Sequence, residues 1–479
     1  MAEKSVAAAE QEIPADATIL TADIGGSKFM AGFVSASGEV LCVERYEWLN
    51  PTPEEILDKV EAALRAQLEA HPDLAARVIA GGLTIPGLAE PVNGVWLDSD
   101  FPPIRDLHIC EELTKRLGIP FYGDNDGNAC VLAEGYFGSA RGASDFIYIT
   151  VSSGVGGGAC VGGELFYGAH CESGEIGLTI SEQEGRPSRS GKQRGPLEMY
   201  CCTEGMSQTF IELGGPSEVN GREPGGKEIA DCAEQGNEAA IRTIELEGKR
   251  LGRAIACADA LLAPEVVVLG GGISLMLDRF APALETELKR IRPEGGPRVV
   301  ASELGYQGAF LGAAACGLRG VAGFSHPLGA GGADACALVI TKDEKRCVHC
   351  ELIANNKSVL GSADKNHSLH GGELGGYLVA RGIDDAGVTL DKLFADVDIE
   401  ALTVAARAGD MDAASQLAGM GDALGRAVAF ASMLFDPGTI RVGDGLSLAR
   451  DYIEQPFINA VVRETYYLAD TIPYVFEWE

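Results

Sequence analysis

The chain has 479 residues, enough for about three compact units at roughly 150 residues each, and its 46% hydrophobic and 23% charged residues exclude a disordered or membrane-embedded class. Seventy acidic against 38 basic side chains leave a formal charge of −32, a field that repels phosphodiester backbones and disfavours nucleic acid as a partner. The thirteen cysteines, an odd number spread mostly singly as at Cys130, Cys160 and Cys257, point to a reducing compartment. With no apolar signal core and no run near the roughly 18 apolar residues of a membrane span, the expectation is a cytoplasmic protein without membrane contact.

Residues 1–16 are polar and Ala-rich and read as a flexible N-terminus, too short before Asp23 for a DNA-reading arm. A first α/β domain is expected over 17–132. Thr18 to Asp23 reads as a buried strand running into Gly25 and Gly26; Phe29 to Ser35 and Val40 to Glu44 read as strands about a turn at Ser37-Gly38, and Pro53 to Leu68 has helical spacing. A strand at Val78 to Thr84, a helix at Ile109 to Leu117 and a strand at Pro120 to Gly123 follow. A second α/β domain is expected over 133–320, with strands at Phe146 to Val151, Gly158 to Val161 and Leu165 to Phe166, a helix from Glu238 to Leu262 and a strand at Val266 to Leu269. Residues 321–333, with Pro327 and several glycines, read as a linker to a third region over 334–479.

Three glycine turns follow strands: Asp23-Ile24-Gly25-Gly26-Ser27-Lys28, Ser152-Ser153-Gly154-Val155-Gly156-Gly157-Gly158 and Gly270-Gly271-Gly272. Each alone could be a plain turn, but three at strand ends argue for a nucleotide, whose phosphates backbone N–H groups can hold while Asp23 approaches a cation. Gly123-Asp124-Asn125-Asp126-Gly127-Asn128 ends another strand before the helical Ala129 to Phe137. A carboxylate there can take a hydroxyl proton, and Asn125 or Asp126 could equally cap the helix.

The ordered series Asp23 to Lys28, Ile85-Pro86-Gly87, Asn125-Asp126, Ser152 to Gly158, Gly174-Glu175-Ile176-Gly177 and Leu269 to Gly272 resembles the ROK family over about residues 17–320. The resemblance implies a two-domain actin-like ATPase (ribonuclease H-like) α/β fold, ATP with Mg²⁺, and phosphoryl transfer to a hexose or N-acetylhexosamine hydroxyl. By position, Asp126 resembles the family's general base, and Asn125, Glu175, Glu198 and Gly87 its sugar contacts. Asp23, Gly25, Gly26, Ser27 and Lys28, with Ser152, Ser153, Gly154, Gly270, Gly271 and Gly272, would serve the nucleotide, Asp23 meeting Mg²⁺ directly or through water. Read without the family, Glu175 is a turn residue between glycines and Glu198 favours a helix N-terminus after Pro196.

The family's zinc ligands, one His and three Cys, are replaced here by Leu178, Ser188, Ser190 and Pro196, so no structural zinc is expected. Arg186, Arg189, Lys192 and Arg194 in the same loop read as a solvated basic group, with a grip on a phosphorylated ligand as the alternative. Cys347-Val348-His349-Cys350 with His367 and His370 is a separate metal candidate, for which two reduced cysteines near a strand are the simpler reading.

Leu251-Gly252-Arg253-Ala254-Ile255-Ala256 recurs as Leu424-Gly425-Arg426-Ala427-Val428-Ala429, and Pro264, Gly270, Gly272 and Ser274 recur at the same offset as Pro437, Gly443, Gly445 and Ser447. The third region therefore reads as a degenerate copy of the second domain, with Gly372-Glu373-Leu374-Gly375 echoing Gly174 to Gly177, and is expected to dock on the complete module as an intrachain pseudo-partner. The expected activity is that of a sugar kinase; the alternative is a catalytically weak or inactive sugar-binding or scaffold protein of the same fold.

Overall fold

A computed structural model describes residues 13–100, 102–324, 327–342, 348–361, 371–443, 445–465 and 473–479. Near the N-terminus, β1 (Thr18–Ile24), β2 (Lys28–Ser35) and β3 (Val40–Glu47) form an antiparallel meander. Helix α1 (Pro53–Ala70) starts at Thr52, whose hydroxyl accepts from Glu55 N while the Glu55 carboxylate accepts from Thr52 N, and it turns Ile56, Leu57, Val60 and Leu64 inward. Then come β4 (Val78–Ile85), α2 (Ile109–Leu117), β5 (Phe121–Asn125) and α3 (Asp126–Tyr136). The first sheet runs β3-β2-β1-β4-β5, with β4 parallel to β1 and to β5.

The chain continues through β6 (Phe146–Val151), β7 (Val155–Val161), β8 (Glu164–Phe166), the 25-residue helix α4 (Glu238–Leu262), β9 (Val266–Gly270), α5 (Leu277–Ile291), β10 (Arg298–Ala301) and α6 (Gly308–Val321). The third region holds β11 (Cys336–Thr341), β12 (His349–Ala354), β13 (Lys357–Leu360), the 25-residue helix α7 (Met411–Phe435), β14 (Thr439–Val442), α8 (Arg450–Glu464) and β15 (Val475–Trp478). The second sheet is ordered β8-β7-β6-β9-β10 and the third β13-β12-β11-β14-β15. The third repeats the first in sense as well as order, because β12 and β13 are antiparallel additions and β14 and β15 parallel ones.

Two compact units result. Unit 1 comprises the residues through Tyr148, Gly158–Phe166 and Val300–Leu328. Its core gathers Leu20, Phe33, Ile56, Leu83, Trp96 and Leu113, all buried, and α6 lies so close to β4 that a Cβ on Gly82 would sit 1.9 Å from the Ala313 carbonyl oxygen. A small antiparallel sheet of Leu88–Glu90, Val95–Asp100 and Pro103–Leu107 lies outside the elements the sequence pattern marks. Likewise β3 runs on to Glu47 through charged residues that are half-buried or exposed at a sheet edge, and α3 opens at Asp126 rather than Ala129.

Unit 2 comprises Ile149–Gly157, Tyr167–Val299 and Gly329–Glu479, so it contains α4, α5, α7 and α8 together. The step along the chain from the start of α4 at Glu238 to the start of α7 at Met411 equals the step from the start of α5 at Leu277 to the start of α8 at Arg450, and the lengths match within each pair. Helices α4 and α5, like α7 and α8, approach each other through glycines. A Cβ on Gly248 or Gly252 would meet the Phe280 or Leu284 carbonyl oxygen at 2.4 and 2.7 Å, and one on Gly421 or Gly425 would meet that of Ile453 or Phe457 at 2.6 and 2.4 Å. Arg253 pairs with Glu287 of α5 at 2.6 Å, and Arg426 faces Glu464 of α8 at 3.5 Å.

The two pairs also meet through an exchanged contact. Gly174 N and Glu175 N donate to Leu434 O and Met433 O at the end of α7 (3.0 and 2.9 Å), while Gly372 N and Glu373 N donate to Leu261 O and Ala260 O at the end of α4 (2.7 and 2.9 Å). Both donor segments lead into one turn of 3-10 helix, Ile176–Leu178 and Leu374–Gly376.

The twelve described cysteines are free thiols, most of them buried. Among the described residues, no helix is long and apolar enough to cross a membrane.

Candidate active site

In unit 1 the end of β1 delivers Asp23, whose Oδ1 accepts from the Thr84 hydroxyl at 2.6 Å while Thr84 Oγ1 accepts from Ile24 N at 2.9 Å. The following loop closes by Gly25 N to Lys28 O, and the Trp48 indole N–H donates to Gly26 O at 2.8 Å and Gly25 O at 3.2 Å. Trp48 thus fixes the carbonyl side of the Gly25-Gly26-Ser27-Lys28 loop.

At the end of β5, Asp124 is fully buried against Arg319 of α6 at 2.8 Å, and its other oxygen accepts from Asn125 N and Asn128 Nδ2. Asn125 is the cap of α3: its Oδ1 accepts from Gly127 N at 2.8 Å, and its Nδ2 donates to Gly87 O at 2.6 Å. The capping residue therefore also ties down Gly87, which stands at φ +79°. Asp126, the first residue of the helix, is solvent-exposed as a residue, and its Oδ1 accepts from Gly127 N. Desolvation raises its carboxyl above the ordinary range, the Gly127 N–H works against this, and the Asp23 charge raises it further. Burial likewise raises Asp23, offset in part by the Thr84 hydroxyl and the Lys28 charge. A carboxylate of increased proton affinity is a better base.

In unit 2 the Ser152-Ser153-Gly154 turn closes by Ser152 N to Gly154 O, and Thr203 donates to Ser152 O from both its N–H and its hydroxyl. Beyond Gly154 the glycine run is strand rather than loop, since β7 starts at Val155. Glu198 heads a short helix, Glu198–Cys201, and its Oε2 accepts from Val155 N at 3.2 Å and would lie 2.7 Å from a Cβ on Gly154. Arg189 donates to Ser153 O at 2.6 Å and stands 3.4 Å from Glu198 Oε1. Gly271, between Gly270 and Gly272 at the end of β9, has φ +78°, and a Cβ there would meet Val151 O at 2.4 Å. Glu175 is exposed.

At the four zinc-ligand positions, Ser188 Oγ and Ser190 Oγ share a hydrogen bond, Gln193 N donates to Ser188 Oγ, and Gln193 Nε2 donates to Leu178 O, with Pro196 buried. Among the described residues no group of three or more His, Cys, Asp or Glu could hold a metal ion. Cys347, His367 and His370 lie outside the described residues, while His349 opens β12 and bonds Gly361 O, and Cys350 is buried. Arg186 departs from the solvated reading: it donates to Met199 O, Gly205 O, Thr209 and Glu212 and covers the Tyr200 ring.

A sequence model of the ROK family matches residues 19–319. The chain belongs to the ROK family. It is 30% identical over 314 residues to a glucokinase of Thermotoga maritima, covering 62% of this chain and 96% of that enzyme. It is also 30% identical over 257 residues to the Escherichia coli DNA-binding transcriptional dual regulator NagC, covering 52% of this chain and 62% of that protein. Among solved structures it resembles a ROK hexokinase from Thermus thermophilus (TM-score 0.55, 26% identity, 64% of this chain and 99% of that one). A ROK glucokinase from Streptomyces griseus, solved with glucose and AMPPNP, matches with a TM-score of 0.52 at 27% identity over 62% of this chain and 98% of that one. The fold of this ROK protein is the actin-like ATPase fold. Sequence reasoning missed Arg319 and Trp48, which support the candidate residues from a distance in sequence, and named Arg189 only as part of a basic loop.

Proposed function

We propose that this ROK protein transfers a phosphoryl group from ATP to a hydroxyl of a hexose or N-acetylhexosamine. The observation that carries the reading is Asp126, which opens α3 next to the Asn125 cap with its carboxyl beside Asp23 and its proton affinity raised by desolvation. ATP with Mg²⁺, when bound, supplies the phosphoryl group and the charge that neutralises it. Asp126 takes the proton of the sugar hydroxyl at its carboxylate, and Asn125, Gly87, Glu175 and Glu198 orient the sugar. Asp23 holds Mg²⁺, directly or through water. The loops at Gly25 to Lys28, Ser152 to Gly154 and Gly270 to Gly272 hold the nucleotide by backbone N–H groups. Coverage of nearly the whole Thermotoga glucokinase supports the assignment.

A second reading, a weak or inactive sugar-binding protein, is favoured by Leu178 at the family's histidine position and by Arg189, which competes with a sugar hydroxyl for Glu198. Incubation with Mg-ATP and glucose, N-acetylglucosamine or N-acetylmannosamine, read as sugar-dependent ADP release, separates them. Under the kinase reading Asp126→Asn lowers that rate by about 10²–10⁴ while calorimetric sugar binding persists. Sugar binding without ADP release selects the second reading, and neither signal overturns both.

We further propose that residues 334–479 are a degenerate copy of the second domain, without a site of its own, and act as an intrachain pseudo-partner. The shared strand order, the common offset of both helix pairs and the exchanged backbone contact support this. Light scattering on the full chain is then expected to give a monomer of 50.1 kDa, and a dimer would count against the pseudo-partner.

A further inference from the structure

The segment preceding Glu175 is held by the third region. Ala169 N donates to Asp436 O at 2.7 Å, His170 N and Glu172 N donate to Asp436 Oδ2 at 2.6 and 3.2 Å, and His170 Nδ1 lies 2.8 Å from Asp436 Oδ1. With Gly174 and Glu175 on the carbonyls of Leu434 and Met433, five backbone N–H groups between 169 and 175 end on residues 433–436. The approach is close, since a Cβ on Gly168 would lie 2.4 Å from Asp436 Cβ. Asp436 is buried, with its side chain only 2% exposed.

Asp436 is the left-handed C-cap of α7, at φ +43°. Its counterpart in the other helix pair is Ala263, the left-handed C-cap of α4 at φ +50°. The backbone is the same in both places and the side chain is not. The cap of α7 carries a carboxylate that accepts from the segment before Glu175, whereas the cap of α4 is an alanine with no acceptor.

We propose that Asp436 is a positioning residue for the Glu175 segment, so that the sugar subsite is incomplete without the third region. The role of Glu175 rests on the kinase reading; the anchoring of its segment does not. Charged acceptors hold N–H groups more strongly than neutral ones, so their removal frees the loop on the exchange timescale.

The test is amide hydrogen exchange of the peptide spanning 167–178 in the full chain, together with glucose affinity, for wild type, Asp436→Ala and Asp436→Asn. Ala263 already adopts the required backbone, so Asp436→Ala is expected to fold, and His170→Ala probes the contact from the other side. Exchange is expected to quicken about tenfold or more in Asp436→Ala, less in His170→Ala, and to be partly rescued in Asp436→Asn, whose Oδ1 still accepts. The KM for glucose is expected to rise several-fold while the KM for ATP stays within about twofold. Unchanged exchange in Asp436→Ala, or quickened exchange with unchanged glucose affinity, overturns the proposal. A wild type that turns over no sugar removes the kinase reading, and the exchange result then still decides whether Asp436 holds the segment.

Discussion

Arg253 offers a quantitative test of what joins the third region to α4. Its side chain is 10% exposed and pairs with that of Glu287, 7% exposed, at 2.6 Å. It also donates to the carbonyl oxygens of Gly382, Ile383 and Asp385 at 2.7, 2.8 and 2.6 Å, in the third region. Arg253→Met keeps most of the stem's packing and removes every one of these bonds. Breaking a buried pair from one side costs about 3–5 kcal/mol. Glu287 retains Arg290 at 2.7 Å, which places the expected loss near the lower end, about 3 kcal/mol. Urea unfolding followed by far-ultraviolet circular dichroism, a signal dominated by helices such as α4 and α7, measures it. Arg253→Met/Glu287→Met should recover part of the loss, because two apolar partners leave no buried charge behind. A single variant within about 1 kcal/mol of wild type would show that the bonds to residues 382–385 are incidental.

Two further outcomes follow from the helices of unit 2. Gly425→Ala should destabilise by about 1–3 kcal/mol, because the new Cβ would sit 2.4 Å from Phe457 O, whereas Gly419→Ala in open space on the same helix should stabilise by up to about 1 kcal/mol; equal effects in thermal denaturation would contradict the close helix approach. Glu247 is 1% exposed, and burial pushes its carboxyl up to about 8 against the opposing Arg250 charge and Cys201 contact. The folded chain therefore holds a proton that the unfolded chain releases near 4.5, so stability falls as pH rises through that window and levels off above about 8. Glu247→Gln should flatten this fall, which runs at on the order of 1.4 kcal/mol per pH unit, and be more stable than wild type at pH 8; parallel pH profiles would refute the assignment.

Local pattern made much of the fold legible. The span Glu238–Leu262 follows from helical apolar spacing, and the recurrence of Leu251-Gly252-Arg253-Ala254 as Leu424-Gly425-Arg426-Ala427 marks a second such helix from sequence alone. What stayed hidden depends on partners far apart in the chain. Asp124 in the Asn125-Asp126 turn is fixed by Arg319, 195 residues away, and His170 meets Asp436, 266 residues away. Nothing in either local sequence specifies such a partner. Asn125 illustrates the intermediate case: its capping role is readable from its place before a helix, but its second bond to Gly87 O is not.

The exchanged contact between Gly174 with Leu434 and Gly372 with Leu261 has a consequence for how the molecule responds to concentration. Two separate chains joined by such a face come apart on dilution, whereas faces on one chain meet at a local concentration set by the connecting peptide. If the third region is the pseudo-partner proposed above, assembly is indifferent to expression level. A substitution in either face also acts once instead of twice, which leaves each half free to specialise at a cost borne by only one side.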